Sequence, residues 1–284
     1  MLKLGFIGAG TVGTALAVLL SSKGYRVTGV SSRSRTSAQN LAKAVDGCRV
    51  LNDNQSVAAN TDLVFITTPD DTIARVASQV KWHKGQSVVH CSGADSTDIL
   101  EPVRKLGAMV GSFHPLQTFA GVKQAMENIP GSTFALEAEE PLLGTLKDMA
   151  TALGGHWIEL KGTDKVAYHA AAVFACNYLV TLVKLATDLW QTFSIPPDQA
   201  TKALLPLIRG TLHNIDTIGI PQCLTGPIAR GDTGTIKKHL NALKEKTPVL
   251  LSTYKELGLQ TIPIALAKGR INKQQANELE AILS

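Results

Sequence analysis

The sequence predicts a two-domain α/β protein: a doubly wound, mostly parallel sheet followed by an all-helical domain. Three observations carry this expectation. Short apolar segments alternate with helical segments through the first half of the chain. A glycine-rich turn joins the first apolar segment to the first helix. After Leu160 the short runs stop and only long helical periods remain.

Residues 2–7 read as the first strand, and 11–23 as a helix with Ala15, Leu16, Leu19 and Leu20 on one face, ended by Gly24. Residues 25–31 form the second strand and 37–44 the second helix. A short strand at 50–51 and a helix near 56–60 follow. Residues 62–67 are apolar without alternation, as expected of a parallel strand buried on both faces. The series continues with a helix at 71–80, a strand at 87–91, a helix at 97–106 and a strand at 108–113. Two more strands, 132–136 and 157–160, flank a helix at 141–153. Residues 163–193 then read as one long helix and 197–218 as another. A Pro/Gly-rich loop at 221–231 precedes helices near 232–245, 248–257 and 273–283. The expected domains are 1–161 and 162–284. The 163–193 helix is apolar nearly all round through 166–182, so it calls for cover from the first domain or from a second copy of the chain.

Composition excludes several classes. With 44% hydrophobic and 18% charged residues the chain reads as an ordinary globular protein, and its net charge of +5 is scattered, so no nucleic-acid-binding stripe is expected. The four cysteines show no CxxC pair, which argues against a zinc site or disulfide framework and suits the cytoplasm. No uninterrupted apolar run reaches the roughly 18 residues of a membrane span, so no membrane partner is expected.

The glycine turn is the first motif with a mechanism. In Gly8-Ala9-Gly10-Thr11-Val12-Gly13 the first glycine allows the tight turn. The second lets the backbone approach a pyrophosphate, and the third lets helix and strand pack closely. The helix N-terminus at 10–12 then offers unpaired N–H groups to the anion. The second strand ends in Ser31-Ser32-Arg33-Ser34, without the acid that usually binds a ribose 2′-hydroxyl. Arg33 offers a planar fork to a 2′-phosphate, so the expected cofactor is NADP (NADPH) rather than NAD or FAD. Thr67-Thr68-Pro69 and Ser92-Gly93 lie at the carboxyl ends of later strands, where open α/β sheets bind their ligands.

Catalytic candidates come from two places. His114, followed by Pro115, ends the sixth strand. Lys165 and His169 are four apart on one face of the long helix, with Tyr168 beside them. Asn177 lies two turns further on, rotated by about 80°. Histidine is suited to donate the proton that balances hydride delivery. Each also has a plain reading, a side chain satisfied by nearby backbone. Arg230, in the loop Leu224–Asp232, is a candidate for holding a substrate carboxylate or a cofactor phosphate, and Asp232 can cap the helix after it.

These segments, with His-Cys-Ser-Gly-Ala at 90–94, Gly-Ser-Phe-His-Pro-Leu-Gln-Thr-Phe at 111–119 and Leu-Thr-Gly-Pro-Ile-Ala-Arg-Gly-Asp at 224–232, resemble a bacterial family of uncharacterised Rossmann-like proteins. Its members carry a helical C-terminal domain of unknown function. More distantly the chain is similar to pyrroline-5-carboxylate reductase, ketopantoate reductase and the 6-phosphogluconate or 3-hydroxyisobutyrate dehydrogenases. The resemblance implies NADP binding and a helical domain of the 6-phosphogluconate-dehydrogenase type that forms a homodimer. It does not supply a substrate. The lysine–asparagine pair of the 3-hydroxyacid dehydrogenases is not intact, because Lys165 is followed at that spacing by His169. The expected function is reduction of a small C=O or C=N substrate by NADPH, with His169, His114 and Lys165 as proton donors in that order and Asn177, Tyr168 and Arg230 as substrate contacts. The alternatives are a non-catalytic NADP-binding sensor or, more remotely, a fold using S-adenosylmethionine or a deazaflavin. No metal is expected.

Overall fold

The computed structural model describes residues 2–284. Its first compact unit runs to Cys176 and the second from Asn177 to Ser284.

The first unit is built on one eight-stranded sheet. β1 (Lys3–Ile7), β2 (Arg26–Ser31), β3 (Arg49–Val50), β4 (Leu63–Ile66), β5 (Ser87–His90), β6 (Met109–Leu116), β7 (Thr133–Ala138) and β8 (His156–Glu159) lie in the order β3-β2-β1-β4-β5-β6-β7-β8. The first six are parallel, β7 is antiparallel to β6, and β8 runs parallel to β7. This is the expected doubly wound, mostly parallel sheet. Its order reverses between β1 and β4, which opens a crevice at their carboxyl ends.

Between the strands run α1 (Thr11–Ser22), α2 (Arg35–Ala44), α3 (Asn54–Asn60), α4 (Asp70–Ser78), α5 (Glu101–Arg104), α6 (Val122–Asn128) and α7 (Leu142–Ala152). Each sheet face has its own core. Leu4, Phe6, Phe65, Val89, Phe113 and Phe134 pack with Leu16 and Leu20 of α1 and Leu146 and Met149 of α7. Ile7, Val64, Ile66 and Val88 pack with Val57, Ile73, Leu100 and Val103. Burial on both faces explains why β4 carries no polar residue.

α8 (Lys165–Ala172) completes the first unit, and a π-helical turn, Val173–Asn177, leads to α9 (Tyr178–Gln191). The compact units therefore divide 15 residues beyond the expected boundary at 161. The reason is a buried tether: the Lys165 ammonium donates to the Ser92 carbonyl at 3.2 Å, which holds α8 to the sheet unit. Gly162–Gln191 is also long and apolar enough, by length and composition, to cross a membrane, and none of its most apolar window is buried. Asn177 and Lys184 interrupt the apolar run, whereas an average over the helix passes across both. The core helix of a globular protein meets the same length and composition.

In the second unit α9 is followed by α10 (Pro197–Ile218), α11 (Thr233–Lys246), α12 (Leu251–Ala267) and α13 (Lys273–Leu283). The α10 and α13 bounds match the sequence reading. α12 runs ten residues past the expected end at 257, straight through Pro263. Core packing outweighs the proline here: Ile262 and Ala265 join Ile236, Ala276, Leu279 and Leu283 in the unit's core. Asn272 and Gln275 form a capping box on α13, and Asp232 caps α11 by accepting from the Thr235 N–H at 2.9 Å.

Candidate active site

At the crevice lies a cavity of about 480 Å³ lined by Gly8, Gly10, Ser32, Arg33, Ser34, Thr67, Thr68 and Pro69, all named by the sequence. The three glycines differ as their mechanical roles require. A Cβ on Gly8, whose φ is +112°, would meet the Thr67 carbonyl oxygen at 2.7 Å; one on Gly13 would strike the Thr67 hydroxyl. A Cβ on Gly10 would meet nothing within 4 Å, so the room above it is open to a ligand. Gly10 is also the N-cap of α1 and supplies no side-chain cap, leaving the first-turn N–H groups of Thr11, Val12 and Gly13 for an anion.

Several expected residues have structural duties. Ser31 is buried, accepts from the Gly8 N–H through its carbonyl at 2.8 Å and donates its hydroxyl to Asn54 Oδ1 at 2.7 Å. Ser34 lines the cavity and also caps α2, accepting from the Ser37 N–H at 3.2 Å. Ser92 is occupied elsewhere. Its hydroxyl lies 2.8 Å from Asp70 Oδ2 and 3.0 Å from Asp95 Oδ2, and it accepts from the Asp95 N–H. The 90–94 turn therefore offers Gly93 rather than the serine hydroxyl. Sequence reasoning missed Ser37, Asn54, Thr72 and Arg75, which also line the cavity. Arg75 is mid-helix on α4, and nothing in a helical period says that its face turns toward the crevice.

These residues fit NADP. The Thr68 hydroxyl is buried without a partner, an orphan that a ligand group can satisfy. Two guanidinium groups, Arg33 and Arg75, line the cavity, and no lining residue is an acid that would repel a 2′-phosphate.

A second cluster forms where β6, the β5 turn and α8 meet. His114 Nδ1 lies 2.9 Å from the Tyr168 hydroxyl, with the rings edge to face. The His114 and His169 ring centroids are 6.1 Å apart. Gly93 lies against both: a Cβ there would be 2.7 Å from His114 Nε2 and 2.7 Å from His169 Nδ1. His169 Nδ1 is buried and has no hydrogen-bond partner. Gly93 thus packs directly against both imidazoles, where no side chain would fit.

The electrostatics favour a neutral His90 and a neutral His114. Burial, then the Lys165 charge and His169, pushes His114 down to about 4. Burial and Lys165 push His90 down to about 3. Burial brings Lys165 down to about 8, opposed first by Glu137 and then by Cys91, Asp95 and Asp70. Burial pushes the Tyr168 phenol up to about 12. Lys165 is only 1% exposed; it donates to Ser112 Oγ at 2.5 Å as well as to the Ser92 carbonyl. It therefore braces the site from within. Asn177 and Arg230 are not part of the first unit, which holds this cluster. Both belong to the second unit, where Asn177 is exposed and Arg230 lies 3.9 Å from Asp232.

A pH dependence of stability follows. Unfolded, His90 and His114 titrate near 6.5, but folded they titrate near 3 and 4. Between these values the unfolded chain binds more protons, so stability falls as pH drops below about 6.5 and levels off below about 3. Lys165, at about 8 folded against 10.5 unfolded, adds stability as pH rises through that interval. Urea midpoints should be lower at pH 5 than at pH 7. The His114 share is absent if replacing His114 by Asn leaves this difference unchanged.

The comparisons with known proteins agree with this architecture. Residues 1–115 match a family model described as a Rossmann-like domain, and residues 132–261 match one described as a domain of unknown function, DUF2520. A candidate NADP oxidoreductase from Bacteroides fragilis superposes with TM-score 0.73 at 26% identity, over 92% of this chain and 98% of that one. Pyrroline carboxylate reductase from Plasmodium falciparum, solved with NADP bound, gives TM-score 0.61 at 14% identity over 100% and 98% of the two chains, which shows a shared fold. Glycerol-3-phosphate dehydrogenase [NAD(P)+] from Syntrophotalea carbinolica is 27% identical over 190 residues, 62% of this chain. That match spans 52% of the dehydrogenase's own length. The chain thus has an NADP-oxidoreductase-like fold, a Rossmann-like unit followed by a helical one.

Proposed function

We propose that this chain is an NADPH-dependent reductase that delivers hydride to a small C=O or C=N substrate. The observation that carries the reading is the pair of imidazoles, His114 and His169, packed against Gly93, with His169 Nδ1 buried and lacking the partner that a substrate atom can supply. NADPH, when bound, supplies the hydride. The Gly10 turn and the α1 N-terminus hold its pyrophosphate, while Arg33 and Arg75, with Ser32, hold its 2′-phosphate. Thr67, Thr68 and Pro69 line its path. The heteroatom of the reduced bond must gain a proton as its carbon gains hydride. His169 gives that proton, and His114, oriented by the Tyr168 hydroxyl, hydrogen-bonds the same atom.

A shift of thermal midpoint with NADPH larger than with NADH is the first expected result. Arg33→Ala should weaken NADPH binding by about tenfold or more, with little effect on NADH. Equal binding of both cofactors by the wild type would refute the 2′-phosphate assignment. Screening carbonyl and imine compounds for NADPH oxidation then tests the reaction. His169→Ala should cost on the order of 100-fold in kcat, and full turnover by that variant would remove His169 as donor. The second reading, a non-catalytic NADP-binding sensor, draws on the burial of Lys165, whose ammonium is occupied by the Ser92 carbonyl and Ser112 hydroxyl. NADPH binding without any oxidation in the screen supports it.

The proposed assembly is a homodimer through the helical unit. Val180 and Leu182 on α9, and Leu207, Leu212, Ile215 and Ile218 on α10, are exposed, from 40% to 69%. Light scattering should give twice the chain mass; a monomer would refute it. The proposed compartment is the cytoplasm, consistent with four cysteines that form no disulfide.

A further inference from the structure

Lys165 is a fully buried ammonium, and the proposed proton transfer does not use it. What holds it is informative. Glu137 lies on β7 directly opposite Ser112 on β6. Opposite residues of an antiparallel pair project from the same face, so a cation reaching Ser112 also reaches Glu137. Lys165 Nζ is 2.5 Å from Ser112 Oγ and 3.9 Å from Glu137 Oε2. The carboxylate is itself fixed. Thr97 donates to it twice, from its N–H at 3.1 Å and its hydroxyl at 2.9 Å, and Arg104 Nη2 donates to that hydroxyl at 3.2 Å. Glu137 also lines a cavity of about 340 Å³ that shares no lining residue with the nucleotide cavity. It thus approaches Lys165 from outside the nucleotide crevice.

We infer that Glu137 is a positioning residue of this site: it anchors the Lys165 ammonium, which holds the Ser92 carbonyl and the Ser112 hydroxyl and so sets Gly93 against the two histidines. The inference rests on the proposed reductase reading only for the task it gives those histidines. The physical reason is that a buried ammonium needs a fixed counter-charge, or it sheds its proton and with it its grip on its acceptors. Other groups face Lys165: Asp70 from α4, Cys91 and Asp95 from the β5 turn, His90 from β5 and His114 from β6. Both aspartates already share the Ser92 hydroxyl, and the histidines oppose the charge. Glu137 is the acid in ion-pair range, and the largest of the influences that favour the charged lysine.

The test is an NMR titration of the full chain, following the Lys165 side chain and the Gly93 amide. In the wild type both should titrate together near pH 8, because Gly93 follows the carbonyl that Lys165 releases. Glu137→Gln keeps the size and removes the charge, so both midpoints should fall together by about one pH unit or more. Glu137→Asp, which keeps the charge, should move them less. It also keeps the question decidable if Glu137→Gln does not fold: a fall with Glu137→Asp, shared by Gly93, then supports the couple. A Lys165 midpoint indifferent to both variants, or a Gly93 amide that ignores Lys165 in the wild type, overturns the inference. No readout needs cofactor or substrate, so failure of the reductase reading would instead appear as absent NADPH binding.

Discussion

Gly93→Ala should lower turnover of any accepted substrate by about 100-fold or more while leaving NADPH affinity within a few-fold of wild type. The added methyl would sit 2.7 Å from His114 Nε2 and from His169 Nδ1, closer than carbon and nitrogen pack. The rings must move apart or the turn must shift. Either change displaces the two imidazoles that are proposed to meet the reacting heteroatom. The nucleotide cavity is elsewhere, and Gly93 is not among its lining residues. Titrating NADPH fluorescence measures the first quantity and steady-state rates the second. Full turnover by the variant would show that the reaction does not depend on where these two imidazoles sit. The variant should also lose some stability, about 1–3 kcal/mol, because Gly93 is buried and the rings around it are packed.

The second large effect separates two glycines that the fingerprint treats alike. Gly13→Ala would drive a methyl into the Thr67 hydroxyl and to 2.8 Å from the Gly8 carbonyl oxygen. One of these is backbone and cannot swing away. The expected cost is about 1–3 kcal/mol of folding stability, with NADPH binding lost as the turn deforms. Gly10→Ala meets nothing within 4 Å, so its stability should match the wild type within about 0.5 kcal/mol. Its NADPH affinity should nevertheless fall by tenfold or more, about 1.4 kcal/mol, because the methyl occupies the room where a pyrophosphate meets the backbone. Urea denaturation without cofactor and NADPH titration decide the pair. If Gly10→Ala binds NADPH normally, the open space above Gly10 is not a phosphate site.

The legible part of the fold was the part governed by local rules. A continuous apolar run such as Leu63–Ile66 marks a buried parallel strand, and it lies at the centre of the sheet. The bounds of α10 and α13 follow from Pro197 at a first helical turn and Asn272 at a cap. The end of α12, expected at 257, was not legible, because only the burial of Ile262 and Ala265 carries the helix on through Pro263. The boundary between the units was hidden for a similar reason. A shift from alternating strands to helices marks residue 162, but a long-range hydrogen bond from Lys165 keeps α8 with the sheet.

In the candidate site the same division holds. Gly8, Gly10, Gly13 and Arg33 announce a phosphorylated dinucleotide because a phosphate-binding turn is a matter of consecutive residues, and the missing acid after β2 is visible at a fixed distance from it. That much the sequence determined by itself, together with the order of strands and helices. Only the tertiary structure decided which residues share a site. Gly93, His114 and His169 come from a turn, a strand and a helix that no period relates, and they converge only because β5 and β6 are neighbours and α8 folds back over their ends. Lys165 reads in sequence as a free amine one turn from His169. Burial and the carboxylate of Glu137, 28 residues earlier on β7, turn it into a brace. Burial, register and charge pairing are properties of chain segments brought together from a distance, and a linear pattern does not carry them.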